Sequence, residues 1–135
     1  MLTENARVDG VCAAFAAGDL ARAGACLRAG HASARDDFEI SVPELDALCE
    51  IADAVPGCYG SRLTGAGFGG CTVHLVDPGR ADAVAAALHD GFAARFGRPP
   101  AILRTFAAAG AAELDLPAVK KGVGFVSSTF PEGKS

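Results

Sequence analysis

The chain is 135 residues long, half of its residues are hydrophobic, and its formal net charge is −4 at pH 7. A chain of this length forms one domain or part of a larger one, and its hydrophobic share excludes a wholly disordered protein. The acidic balance argues against nucleic acid as a partner. The sequence has neither an apolar run of bilayer-spanning length nor a signal peptide at Met1, so we expect no membrane partner and a cytoplasmic location.

The first forty residues predict two helices and a connection. Four apolar residues recur at helical spacing in the first helix: Val8, Val11, Cys12 and Phe15. Gly18 is expected to end this helix, and Asp19 is expected to cap a second, shorter helix that stops at Gly30. The polar residues 31–40 are then expected to connect the second helix to the next element.

The rest of the chain predicts a helix, two strands, a further helix and a last strand. Residues 41–44 (Ser-Val-Pro-Glu) fit a capping box at the start of the third helix. Strand patterns follow at residues 58–64 and 71–76, and the short loop between them favours antiparallel pairing. A fourth helix ends at Gly97, and residues 101–106 predict a strand. This order predicts an α+β fold, with helices packed on one face of a small, mainly antiparallel sheet.

The most distinctive segment is the glycine loop, residues 65–70, with the sequence Gly-Ala-Gly-Phe-Gly-Gly. Glycine allows positive φ and close approach, so such a loop presents N–H groups to a phosphate or packs beneath another phosphate-binding loop. The loop satisfies G-x-G-x-x-G, but a strand pattern follows it where a dinucleotide-binding site needs a helix. It also lacks the Lys-Ser or Lys-Thr of a Walker A motif, and the chain lacks the HRD and DFG motifs of protein kinases. A tight hairpin without a ligand stays open as an interpretation.

Three blocks together carry a family resemblance. They are Thr-Glu-Asn-Ala-Arg-Val at 3–8, Gly-His-Ala-Ser-Ala-Arg-Asp-Asp-Phe-Glu-Ile-Ser-Val-Pro-Glu-Leu-Asp at 30–46, and Tyr-Gly-Ser-Arg-Leu-Thr followed by the glycine loop and Cys-Thr-Val at 59–73. In order and spacing they resemble the C-terminal region of galactokinases, which are members of the GHMP kinase family. The resemblance implies a GHMP-kinase C-terminal domain in residues 1–110 and leaves residues 111–135 as an unassigned tail.

The resemblance implies a function for a complete enzyme, which phosphorylates galactose to galactose 1-phosphate with ATP and Mg²⁺. By position, the residues that support the ATP phosphate site are Gly65, Ala66, Gly67, Phe68, Gly69 and Gly70; the family often has glycine where Ala66 stands. The galactose signature, the main ATP-phosphate loop and the catalytic aspartate are expected upstream of Met1. The expected partner is therefore the missing N-terminal half of the kinase. The chain alone is expected to be inactive and to bind neither ATP nor Mg²⁺ tightly, and no catalytic or metal-binding residue is assigned within it.

Two other functions stay open: a stand-alone binding or regulatory module derived from such a domain, and a fragment of another small-molecule GHMP kinase, of homoserine or mevalonate type. The 30–46 block argues against the second of these.

Several single residues have alternative roles. Arg62 either meets a phosphate or is a strand-edge charge, and Asp36 with Asp37 either binds Mg²⁺ or serves in turns and caps. The histidines His31, His74 and His89 form no metal-spaced cluster, so surface or core roles are expected. The five cysteines are widely spaced and form no CxxC pair, which predicts no disulfide framework and no zinc site. We expect them, Cys71 included, to be buried small side chains.

Overall fold

The computed structural model describes residues 2–107. The chain forms two compact units, residues 1–103 and residues 104–135, and only 104–107 of the second are described. The predicted tail at 111–135 lies outside the described residues, so the boundary at residue 110 stays a prediction.

The first unit contains four helices and two strands in the order ααα–ββ–α. Their bounds are α1 Leu2–Ala16, α2 Leu20–Asp36, α3 Pro43–Asp53, β1 Cys58–Thr64, β2 Cys71–Val76 and α4 Ala81–Phe96. A short 3-10 turn, Pro78–Arg80, leads into α4. Helices α2 and α3 pack on β1, and α4 packs on α3. The α+β class and the order of these six elements are confirmed.

The two strands form an antiparallel hairpin that the glycine loop closes. Its register pairs Thr64 with Cys71 and Ser61 with His74, and an irregularity near Cys58 interrupts the ladder at the far end. A two-stranded sheet is only marginally stable by itself, so its stability depends on the helices packed against it.

Helix α2 is longer than the sequence predicts, because it continues through Gly30 to Asp36. The prediction of a stop at Gly30 and a connection at 31–40 was therefore wrong. The glycines of α2 mark close packing: a Cβ on Gly24 would lie 1.8 Å from the carbonyl oxygen of Tyr59 in β1, and one on Gly30 would lie 3.0 Å from the Arg62 guanidinium. Glycine permits this contact between helix and strand, and that benefit outweighs its low helix propensity.

The start of α3 differs from the predicted capping box. Its N-cap is Val42, which makes no side-chain capping bond, and Pro43 occupies the first turn. The hydroxyl of Ser41 instead donates to Asp46 Oδ1 at 2.6 Å. The capping-box prediction was wrong, although the helix begins where it was expected, because proline's fixed φ suits the first helical position.

The predicted strand at 101–106 is absent, since residues 101–107 have neither helix nor strand. The apolar side chains that suggested it are exposed: Ile102 by 45%, Leu103 by 86% and Phe106 by 76%. A strand needs a neighbour for its backbone hydrogen bonds, and the sheet described here consists of β1 and β2 alone.

Among the described residues, buried apolar side chains form two small clusters. In the first, Ala34, Leu45 and Leu63 join α2, α3 and β1, and Ile40 packs against them. Ala52, Val84 and Leu88 join α3 to α4. The apolar stripe predicted for α1 does not enter either cluster: Val8 is 54% exposed and Phe15 is 50% exposed.

Candidate functional site

The glycine loop has a backbone that only glycine adopts freely. Its φ angles are +87° at Gly65, +81° at Gly67, +133° at Gly69 and +96° at Gly70, and Phe68 lies at +59°. Side chains with a Cβ rarely take such angles, so the loop keeps this shape because four of its six positions are glycine.

At Gly67 the glycine loop packs against the connection between α2 and α3, residues 37–42. A Cβ on Gly67 would lie 2.3 Å from the carbonyl oxygen of Ile40, and the N–H of Phe68 donates to that same oxygen at 2.7 Å. Glycine is therefore required here for space as well as for φ. The contact brings two of the three sequence blocks, 30–46 and 59–73, together.

The other side of the loop is open. A Cβ placed on Gly65, Gly69 or Gly70 would meet nothing within 4 Å, and Thr64 and Ala66 are exposed. The ring of Phe68 is 72% exposed. Backbone N–H groups on a left-handed or mixed backbone form anion-binding concavities, so the open side has the chemistry to face a phosphate or another loop.

Arg62 gives the loop little charge, because its guanidinium contacts neighbouring elements. Nη1 lies 3.0 Å from Glu4 Oε1 in α1, and Nε donates to the carbonyl of Leu63 at 3.2 Å. Glu4 also pairs with Arg7 at 2.6 Å, and the hydrogen bond from Arg7, followed by that from Arg62, lowers the pKa of Glu4. Of the two roles considered, these contacts favour the structural one: Arg62 joins the 3–8 block to the 59–73 block.

The acidic pair at the end of α2, Asp36 and Asp37, serves in ion pairing and helix capping. Asp37 is the C-cap of α2 and accepts a hydrogen bond from the hydroxyl of Ser33 at 2.6 Å. Asp36 pairs with Arg35 at 2.7 Å. Within residues 2–107, no group of three or more His, Cys, Asp or Glu side chains is placed to hold a metal ion.

A partly buried chain of polar side chains joins β1 to β2, and the sequence patterns did not predict it. The hydroxyl of Ser61, which is fully buried, lies 2.7 Å from His74 Nδ1, and His74 Nε2 lies 2.8 Å from Thr72 Oγ1. Burial lowers the pKa of His74. Thr72 and His74 are partly buried, whereas Val73, on the opposite face of β2, is 46% exposed. The alternation in β2 was predicted, but it does not reveal which face is covered.

His31 is a buried residue that links α2 to β1. Its Nδ1 accepts a hydrogen bond from the N–H of Leu63 at 3.2 Å, and its Nε2 lies 3.1 Å from Asp46 Oδ1 in α3. The bond from Leu63 ties α2 to β1, whereas Nε2, although close to Asp46, makes no hydrogen bond; burial of the ring agrees with the core role considered for it. The expectation for the cysteines holds for Cys49, which is buried and whose pKa burial raises to about 12. It was wrong for Cys12 in α1 and for Cys71 at the start of β2, both of which are exposed.

Comparison with known protein families identifies the class of protein to which this chain belongs. A family model described as "GHMP kinases C terminal" matches residues 12–94. This match includes the glycine loop and most of the fold, so the chain belongs to the GHMP kinase family as its C-terminal domain.

Within that family, the similar proteins are galactokinases. The chain is 51% identical to the galactokinase of Chloroflexus aurantiacus over 98 residues, which are 73% of this chain and 25% of that protein. It is 45% identical to the galactokinase of Streptomyces coelicolor over 114 residues, 84% of this chain and 29% of that protein. A crystal structure of Lactococcus lactis galactokinase complexed with galactose superposes with a TM-score of 0.67 at 41% identity, covering 70% of this chain and 24% of that one. The chain therefore spans about a quarter of the length of these relatives.

No helix among residues 2–107 combines the length and the apolar character that crossing a membrane requires.

Proposed function

We propose that this chain is the C-terminal part of a galactokinase. In the complete enzyme, ATP phosphorylates galactose to galactose 1-phosphate with the help of Mg²⁺, in the cytoplasm. The observation that carries the proposal is the 51% identity to a galactokinase over 98 residues. The similarity to a galactokinase whose crystal structure contains galactose supports the same substrate.

The role proposed for this chain is to support the ATP phosphate site with the backbone of residues 65–70. Residues 65–70 offer a loop whose open side has room for phosphate oxygens or for a second loop. Gly67 and Phe68 hold that loop against Ile40, so its shape is set before any ligand arrives. Preorganised N–H donors of this kind stabilise developing negative charge, because they need not reorient during the reaction.

We propose that the rest of the phosphoryl-transfer machinery lies outside residues 2–107 of this chain. Phosphoryl transfer needs a clamp of positive charge on the phosphates, ligands for Mg²⁺ and a residue that positions the attacking hydroxyl. Arg62 is paired with Glu4, and no cluster of metal-ligating side chains is placed for Mg²⁺ within residues 2–107. We therefore propose that the N-terminal part of the kinase supplies these groups and is the partner of this chain.

The experiment is a chimera in which this full chain replaces the matching quarter of the Chloroflexus aurantiacus galactokinase. The chimera is mixed with ATP, Mg²⁺ and galactose, and galactose 1-phosphate is measured by ³¹P NMR. The parent enzyme is the positive control, and the isolated 135-residue chain is the negative control. We expect product from the chimera and none from the chain alone. A chimera that unfolds cooperatively but forms no galactose 1-phosphate would contradict the proposal, and so would turnover by the isolated chain.

A further inference from the structure

A cleft of about 150 Å³ opens between helices α2 and α3 and shares no lining residue with the glycine loop. We call it the α2–α3 cleft. Its polar walls are Arg28, His31 and Arg35 on α2 and Asp46, Glu50 and Asp53 on α3. Residues spaced by three and four share one face of a helix, so each helix turns a polar face to the cleft. A single water needs about 10–15 Å³, so the cleft has room for a small organic molecule.

The two walls of the cleft have complementary hydrogen-bonding roles. The α2 wall supplies guanidinium and imidazole donors, and the α3 wall supplies carboxylate acceptors. The pKa of Arg35 is raised, first by its bond to Asp36 and then by the charges of Asp46 and Glu50, so the acidic wall acts across the cleft. With His31 neutral, the walls carry two positive and three negative charges. This near balance favours a ligand without a large net charge.

His31 holds an unpaired donor beside an acceptor. Its Nδ1 accepts from the N–H of Leu63, so the neutral ring carries its proton on Nε2. Nε2 is buried 3.1 Å from Asp46 Oδ1 and makes no hydrogen bond, which is unfavourable for a buried donor. A hydroxyl group satisfies both atoms at once, because its oxygen accepts from the ring N–H while its proton goes to the carboxylate. A carboxylate or an ammonium group can satisfy only one of them.

We propose that the α2–α3 cleft binds a small polyhydroxy compound, a monosaccharide or a cyclic polyol of similar size. Its hydroxyl groups accept from the α2 donors and donate to the α3 carboxylates. Because Nε2 of His31 is shielded from solvent, the side chain of Asp46, 23% exposed, turns aside to admit a hydroxyl, and such rotamer changes are common on binding. The site needs neither the glycine loop nor an N-terminal part, so the proposal goes beyond the proposed function.

NMR titration of the ¹⁵N-labelled 135-residue chain tests the proposal. The probes are myo-inositol and D-galactose, and the signals followed are the backbone amides and the histidine ring nitrogens. We expect saturable shifts at the ring of His31 and at the amides that line the cleft. The dissociation constant should be about 1 mM, as for a small ligand held by a few hydrogen bonds in an open cleft. The ring of His89, exposed on α4 and outside the cleft, is the internal control and should not respond.

Two pairs of variants locate the site. Ala32 lines the cleft, so Ala32→Met fills it and should abolish the saturable shifts, whereas Ala29→Met, at an exposed position of the same helix, should leave them unchanged. Methionine is a good helix former at both positions. If Ala32→Met fails to fold, Arg35→Gln decides, because that side chain is 44% exposed. It should weaken binding about tenfold, and Arg22→Gln, exposed in the first turn of α2, should not.

The remaining outcomes overturn the proposal. No saturable shift with either polyol excludes the site and leaves water as the only hydroxyl group that the cleft takes. Binding that survives both Ala32→Met and Arg35→Gln places any site elsewhere. Tighter binding of glycine or of galactose 1-phosphate, tested as charged probes, overturns the assigned ligand class. Shifts of the lining amides without a response of the His31 ring overturn the role given to Nε2. None of these results bears on the proposed function, which the chimera tests separately.

Discussion

Replacing Gly67 by alanine should destabilise the chain far more than the same change at Gly65, although both residues have nearly equal φ angles, +81° and +87°. Each alanine pays about 1–2 kcal/mol for the left-handed backbone, partly offset by a lower entropy of the unfolded chain. Only at Gly67 would the new Cβ lie 2.3 Å from the Ile40 oxygen. Relieving that overlap moves the loop and breaks the bond from Phe68, which adds about 1–2 kcal/mol. We expect a loss of about 3 kcal/mol for Gly67→Ala and about 1 kcal/mol for Gly65→Ala.

The assay is urea unfolding of the full chain, followed by far-UV circular dichroism, with the midpoint and the slope measured for each variant. Equal losses for Gly67→Ala and Gly65→Ala would refute the reasoning, because they would show that the contact with Ile40 contributes nothing beyond backbone strain.

Two further predictions concern packing and pH. Gly24→Ala should prevent stable folding, since its Cβ would lie 1.8 Å from the carbonyl oxygen of Tyr59 in β1. Gly10→Ala should be tolerated, because its Cβ would lie 3.3 Å from the sulfur of Cys26. Thermal unfolding of the two variants distinguishes these outcomes. Because burial lowers the pKa of His74 in the folded chain, the unfolded chain binds the proton first as pH falls below about 6.5, and stability is lost in that window. His74→Gln should remove this loss, and His89→Gln, at an exposed position of α4, should leave it. Equal pH profiles for both variants would contradict the assignment.

The fold class was predictable because buried apolar residues recur at regular spacing along the helices and strands. Helix α4 shows this: Val84, Leu88 and Phe92 recur at helical spacing and are all buried, and Gly97 ends the helix in the left-handed conformation, with φ +71°. Local rules failed where a distant contact decides the conformation. Gly30 was interpreted as a stop, but it lies inside α2 against Arg62 from β1, and nothing local to the helix reveals that neighbour.

The site was predictable in its location but not in its construction. The glycine pattern at residues 65–70 indicated positive φ, which the structure shows at all four glycines. The sequence did not distinguish Gly67, which packs against Ile40, from the glycines on the open side. It also gave no sign that His74 contacts Ser61 across the hairpin, because alternation marks two strand faces without showing which one is covered.

The central claim is that the glycine loop of this chain works at the phosphate end of a galactokinase. It is tested most directly by steady-state kinetics of the chimera with and without Gly69→Ala, a position on the open side where a Cβ meets nothing within 4 Å in this domain. The account predicts a lower kcat/KM for ATP with the KM for galactose unchanged, and only the small fall in Tm that alanine at a positive φ brings. An unchanged kcat/KM for ATP, or a change confined to the KM for galactose, would contradict it.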